Sequence, residues 1–246
     1  MDFRKLMCPP NSPTRVRQLH RIEDMSSSPD QDEGPRLVTS PLDSDVAREA
    51  VMADKLVSRP MPDEYALVVH KLTKSFGPCR GTKLMQLLTD SYECSSGDVY
   101  IGSWSLLRTP RTYAANIGYC PESVCMPEHL TGHEIIELVC VLRGFRLNDT
   151  AAMTKNLLHI MELSRVANVV VGHYTPGDKR KLCIAVALAG LPSVVLLDEP
   201  STGVDVAARA QIRRSLSIIR HMTDCAILLT SNRLGPRFRA FLTHTL

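Results

Sequence analysis

Apolar positions along this chain fall into two regimes. Up to about residue 62 they are scattered among Ser, Pro, Asp and Arg, as in Ser26-Ser27-Ser28-Pro29-Asp30, and no helical or strand period persists. Residues 1–62 are therefore expected to form a disordered tail or linker, in which Ser44 to Leu56 could make one small polar helix. Beyond it the runs become regular. Tyr65-Ala66-Leu67-Val68-Val69-His70 reads as a short strand, and Val99-Tyr100-Ile101, after Gly97-Asp98, as a second strand or hairpin edge. Thr131-Gly132-His133-Glu134 is a capping box, in which the Thr hydroxyl and the Glu carboxylate each accept an otherwise orphaned amide of the first turn. It opens a helix whose Ile135, Leu138, Val139 and Leu142 recur at helical spacing and which stops at Gly144. Asn148 or Asp149 is expected to cap a second helix, with Leu157, Leu158, Met161 and Leu163 on its apolar face. A third helix is predicted from about Asp178 to Ala189, and a fourth from about Val206 to Arg220. Between them Val194-Val195-Leu196-Leu197 shows no alternation, which marks a strand buried on both faces. The last predicted strand is Ala226-Ile227-Leu228-Leu229-Thr230. Helices alternating with buried strands imply an α/β domain over residues 63–246, built on a mainly parallel sheet flanked by helices.

Composition narrows the function classes. With 44% apolar residues in 246, one moderate domain can bury a proper core. A formal charge of +3 is too small and too scattered to argue for nucleic acid. The eight cysteines show neither a C-x-x-C pair nor a zinc spacing, and their apolar neighbours favour reduced thiols over disulfides. Asp2-Phe3-Arg4-Lys5 leads into no apolar signal core. The longest apolar stretch, Leu182 to Leu197, is broken by Gly190 and Pro192 and falls short of the ~20 residues a membrane span needs. The chain is not expected to cross a membrane by itself, and a cytosolic location is expected for it alone.

Candidate chemistry centres on Asp198 and Glu199, at the end of the buried strand, where open α/β sheets place their ligands. Asp198 could hold Mg²⁺ through water, and Glu199 could polarise an attacking water beside a nucleotide. A solvated acidic turn is the plainer reading, but the continuation Pro200-Ser201-Thr202-Gly203-Val204-Asp205 argues against it. A nucleotide site also needs a phosphate cradle. The pattern G-x-x-x-x-G-K-[ST], whose glycines expose backbone amides to phosphates, occurs nowhere in the chain. The nearest segment, Gly77-Pro78-Cys79-Arg80-Gly81-Thr82-Lys83-Leu84, is one residue short between glycines, reverses Thr and Lys, and loses a donor at Pro78. It reads as a junction from which the cradle has been lost.

Several further blocks stand in a recognisable order: Leu72-Thr73-Lys74-Ser75-Phe76-Gly77, Ser96-Gly97-Asp98-Val99-Tyr100-Ile101-Gly102, Asn116-Ile117-Gly118-Tyr119-Cys120-Pro121, Leu130-Thr131-Gly132-His133-Glu134 and Lys179-Arg180-Lys181-Leu182. With the Asp198 segment, which looks like a Walker B motif and D-loop, they resemble a nucleotide-binding domain of ATP-binding cassette (ABC) transporters of subfamily A, from about Asp43 to Ser231. The second such domain is the closer match, through the acidic lead-in Asp43 to Tyr65.

The resemblance implies an ATP hydrolase fold, ATP and Mg²⁺ as cofactors, a second nucleotide-binding domain and membrane domains as partners, and placement on the cytosolic face of a membrane. Lipids or sterols would be substrates only through the intact transporter. It implies Glu199 as general base, Asp198 as the Mg²⁺ partner, Phe76 as the adenine stack, Glu122 at the Q-loop, Thr175 and Gly177 in the signature motif, Asp205 in the D-loop, and Asn232 at the H-loop. This chain departs from the pattern at three of these sites. Glu122 replaces Gln and, when ionised, donates no hydrogen bond. Thr175-Pro176-Gly177-Asp178 replaces Ser-Gly-Gly and suits a helix start better than a phosphate contact. Asn232 replaces a His and carries no proton at neutral pH. The family's C-terminal lobe has no counterpart after Asn232. The expectation is an incomplete P-loop NTPase-like domain with impaired ATP binding and hydrolysis. The alternative is a catalytically dead pseudo-ATPase that serves as a dimerisation or regulatory partner. A free-standing ATPase is favoured by Asp198 and Glu199 and opposed by nearly everything else, because phosphoryl transfer depends mostly on positioning and charge stabilisation.

Overall fold

The computed structural model describes residues 66–74 and 84–230. The expected tail, the helix at Ser44 to Leu56, the junction at Gly77 to Lys83, Phe76 and Asn232 lie outside the described residues.

At the centre stand three parallel strands, β4 (Ile117–Cys120), β5 (Val194–Leu197) and β6 (Ala226–Leu229), in the order β4-β5-β6. Their register is unbroken: Ile117 to Val194 to Ala226 at one end and Cys120 to Leu197 to Leu229 at the other. All four residues of β5 are buried, as a central strand covered on both faces requires. Each such side chain contributes roughly 1.5–3 kcal/mol of transfer free energy.

The strand period of two sends alternate residues into two cores. Ile117, Val194, Leu196, Ala226 and Leu228 face Leu67, Met85, Leu88, Val99, Ile101 and Tyr113. That layer holds an antiparallel sheet, β1 (Val68–Thr73), β2 (Ser96–Ile101) and β3 (Trp104–Ser105), with two short helices, α1 (Leu84–Leu88) and α2 (Pro110–Ala115). Cys120, Val195, Leu197 and Ile227 face the opposite way, into a layer of four longer helices. These are α3 (Gly132–Leu142), α4 (Leu147–Ile160), α5 (Pro176–Leu188) and α6 (Val206–Met222), with a single 3₁₀ turn at Val171–His173 before α5.

Local chemistry accounts for several boundaries. The Thr131 capping box forms: its hydroxyl accepts from the Glu134 amide at 3.2 Å, and Glu134 accepts from the Thr131 amide at 2.8 Å. Helix α5 is buried on nearly every side, and its backbone presses onto β4. A Cβ at Gly118 would fall inside the van der Waals shell of the Ala187 carbonyl oxygen, so only Gly permits this approach.

Three expectations need correction. The first strand runs from Val68 to Thr73 rather than from Tyr65 to His70, because pairing with β2 around a bulge between His70 and Thr73 sets its register. Helix α4 is not capped by Asn148 or Asp149. Its N-cap is Arg146, with no side-chain capping bond, and Asp149 sits inside the first turn, where it favours the helix dipole. Helix α5 starts at Pro176, two residues before the expected Asp178, because Thr175 is its cap.

Candidate functional site at the carboxyl ends of the parallel strands

The common register brings the residues that follow β4, β5 and β6 to one edge of the sheet, and they are wired together there. The Asp198 amide donates to the Cys120 carbonyl at 2.8 Å. Thr230, in line with Asp198, donates its hydroxyl to Asp198 Oδ1 at 2.6 Å and accepts from the Glu199 amide at 3.1 Å. One hydroxyl thus orients both acidic residues. Glu199 is buried at 4% exposure, its Oε2 accepts from the Thr202 hydroxyl at 2.9 Å, and its backbone is left-handed at φ +46°.

Above this edge opens a cavity of about 860 Å³ lined by Glu122, Asp198, Tyr119, Pro176, Lys179 and Arg180, among others. The Tyr119 hydroxyl is pushed up to about 12, first by burial and then by the neighbouring Asp198 carboxylate, so it stays a neutral donor. The Arg180 guanidinium donates to the carbonyls of Pro121, at 2.6 Å, and of Glu122, and lies 3.7 Å from Cys120 Sγ. It therefore anchors the Glu122 backbone to α5. Lys179 pairs with Glu128 at 2.8 Å across the same loop, and that hydrogen bond lowers the Glu128 carboxyl below its ordinary value.

The start of α5 is committed to its own capping. Thr175 Oγ1 accepts from the Asp178 amide at 3.1 Å and donates to Asp178 Oδ2 at 2.8 Å. Asp178 also meets Lys181 at 2.8 Å, both side chains being almost wholly buried. Gly177 packs against α6, where a Cβ would come within 2.8 Å of Ala208 Cβ. Asp205 caps α6 by accepting from the Ala208 amide at 2.7 Å.

The fold therefore places Glu122 and Asp198 in one cavity, with Glu199 buried next to Asp198 and Thr175, Gly177 and Asp205 at two touching helix starts. Sequence reasoning missed Thr230, Tyr119 and Arg180 as parts of the site. Thr230 follows β6 and comes level with Asp198 only once β6 pairs with β5.

Residues 81–202 match the family model described as ABC transporter, and that match takes in β5 with both carboxylates and the start of α5. This chain belongs to the ABC transporter family. Its sequence relatives place it in a nucleotide-binding domain of subfamily A. It is 30% identical over 229 residues to the human phospholipid-transporting ATPase ABCA3, and 34% identical over 227 residues to the human phospholipid-transporting ATPase ABCA7, each alignment taking in 81% of this chain. It is also 36% identical over 154 residues to the human retinal-specific phospholipid-transporting ATPase ABCA4, across 62% of this chain. The chain spans 13%, 10% and 7% of the lengths of these relatives. A solved ATP-binding cassette, a dimer in a post-hydrolysis state bound to ADP and Pi, superposes with a TM-score of 0.53 at 20% identity, over 60% of this chain and 68% of that one. That likeness establishes an ABC ATPase fold for the ABC domain described above.

Proposed function

We propose that this chain acts as the ATP-binding part of a subfamily A lipid transporter, with nucleotide binding and hydrolysis weakened by the loss of its phosphate cradle. The observation that carries the reading is the pair Asp198 and Glu199, ordered by Thr230 with Asp198 lining a cavity, in a chain without G-x-x-x-x-G-K-[ST]. In this reading Asp198 and Glu122 hold Mg²⁺ largely through water, which suits a cation that keeps much of its hydration shell. Glu199 is the general base, Phe76 the adenine stack and Asn232 the H-loop residue. Thr175, Gly177 and Asp205 face a second nucleotide-binding domain, and membrane domains complete the transporter at the cytosolic face of a membrane.

In this reading the start of α5 is poorly suited to a triphosphate. Thr175 spends its hydroxyl on Asp178, and the Asp178 carboxylate occupies the helix start where a phosphate would sit.

The test is a titration of the 246-residue chain with a fluorescent ATP analogue, together with Mg²⁺-dependent phosphate release. The expected result is weak binding and background hydrolysis that Glu199→Gln leaves unchanged. Turnover abolished by Glu199→Gln would refute the impaired state. A full-length read of the message across the codons for Phe76 to Thr89 provides a second check. An intervening P-loop segment would assign full ATPase function to the parent transporter.

A second reading, a pseudo-ATPase partner, is favoured by the exposed start of α6, where Asp205 stands beside Val206 at 77% exposure. Stable co-purification with an intact ABC domain is its expected result, and failure to associate would reject it.

A further inference from the structure

Helix α6 concentrates the positive charge of this chain. Its 17 residues carry Arg209, Arg213, Arg214 and Arg220 and no acid, whereas the formal charge of all 246 residues is only +3. Its apolar stripe of Ala208, Ile212 and Ile219 is spent in the core, with Ser215 buried on the same side. At about 100° per residue, the opposite side holds Arg213, Arg214, Ser217, Arg220 and His221, and all five are exposed. Arg213 and Arg214 stand one turn before Ser217, and Arg220 and His221 one turn after it. Arg214 meets Glu162 at 3.3 Å. Among the described residues, no carboxylate pairs with Arg213 or Arg220. These two lie about 10.5 Å apart along the helix axis.

A row of cations fixed on one helix face suits a linear anionic partner, and the chain itself contains one. Residues 23–33 include Glu23, Asp24, Asp30, Asp32 and Glu33 and no base. The three steps from Asp30 to Glu33 reach about 10 Å when extended, which matches the Arg213 to Arg220 spacing. The connection from Glu33 to Ala66 spans up to about 110 Å, so its length does not prevent the contact. A bilayer is a poorer match. A helix that lies on a membrane inserts an apolar face, and the apolar face of α6 is already buried inside the domain.

We propose that the acidic segment of residues 23–33 docks on the outward basic face of α6 in the same chain. The contact rests on charge complementarity, and nothing in it depends on whether the chain binds ATP. Each exposed ion pair is weak by itself. Tethering raises the local concentration of the segment and lets several such pairs act together. The bound segment covers α6 from about two turns beyond its Asp205 cap, so any other partner of this face has to displace it.

The test uses the full 246-residue chain and a fluorescent peptide of residues 22–34, titrated at low ionic strength. In a neutralised chain, Glu23→Gln, Asp24→Asn, Asp30→Asn, Asp32→Asn and Glu33→Gln remove the competitor that the chain carries. The peptide should bind this neutralised chain at least about tenfold more tightly than the wild type, whose face is already covered. Added salt should weaken that binding. Adding Arg213→Gln and Arg220→Gln should abolish it, whereas Arg213→Lys and Arg220→Lys, which keep the charge, should retain most of it. Circular dichroism checks that these exposed changes leave the fold intact. Equal affinity for the wild-type and neutralised chains, no binding to the neutralised chain, or binding indifferent to Arg213 and Arg220 would overturn the proposal. So would wild-type chain sedimenting with phosphatidylserine vesicles through Arg213 and Arg220, which would assign the face to a membrane. A wild-type dimer that the neutralised chain does not form would assign it to the acidic segment of a second copy, and would likewise overturn it.

Discussion

Replacing Lys181 with Met would strand a charge inside the domain. Lys181 Nζ lies 2.8 Å from Asp178 Oδ1, with the two side chains 2% and 5% exposed, and it also donates to Gln211 at 3.2 Å. At that separation and an effective dielectric of 20 the Coulomb attraction is about 6 kcal/mol, against a desolvation cost of several kcal/mol per ion. The pair itself is therefore close to neutral in net worth, whereas its rupture is expensive. With Lys181 gone, the Asp178 carboxylate keeps only the Thr175 hydroxyl and Arg165, at 3.5 Å and 73% exposed. The expected loss is about 3–5 kcal/mol, a large part of a domain stability of roughly 5–15 kcal/mol. The double variant Asp178→Asn with Lys181→Met should recover most of it. Urea unfolding of the four proteins gives the coupling directly. A Lys181→Met loss below about 1 kcal/mol, or a double variant as unstable as the two single losses added, would refute the reasoning. The same site sets an acid limit. Burial alone would raise the Asp178 carboxyl, but hydrogen bonds from Lys181 and Thr175 and the charge of Lys181 outweigh it, and the net shift is downward. A carboxyl lowered on folding stabilises above its unfolded value of about 4 and loses that contribution as pH falls through the lowered folded value. Stability should therefore drop below about pH 4, less steeply in Asp178→Asn.

Other contacts give sharper, smaller tests. Gly118→Ala should destabilise by about 3 kcal/mol or more, because its methyl meets backbone rather than a side chain that can yield; a urea midpoint near wild type would contradict the close α5–β4 approach. Thr131→Ala removes the α3 capping box and should cost about 1 kcal/mol in the same assay. Ser215→Ala deletes the buried hydroxyl that ties α6 to the Ile160 carbonyl at 2.6 Å, and should cost about 1–3 kcal/mol by leaving that carbonyl unpaired.

The central sheet was legible because β5 has a composition that leaves few alternatives. Val194 to Leu197 can only be a strand covered on both sides, and Asp198 then falls at its carboxyl end. The start of α3 was equally plain, because Thr131 and Glu134 specify a bond in each direction. What stayed hidden depends on tertiary register. Thr230 gains its role only when β6 lies beside β5, and Arg180, within a basic triplet that looks solvated, is drawn inward by carbonyls about sixty residues earlier in the chain. Helix α2 had a local signal in Pro110 at its first turn, but six residues with one buried side chain, Tyr113, give no period to read. The start of α4 misled because two good capping residues, Asn148 and Asp149, follow the true boundary instead of preceding it.

Glu199 holds a backbone conformation, φ +46°, that β-carbon-bearing residues avoid. Glycine there would relax the chain by something on the order of 1 kcal/mol. An engineer who selected this domain for heat resistance alone would therefore be expected to recover Glu199→Gly early, and would remove the buried carboxylate in the same step. At this position thermal fitness and chemistry pull on one codon in opposite directions, so a stabilised version of the domain has to be sought at other residues.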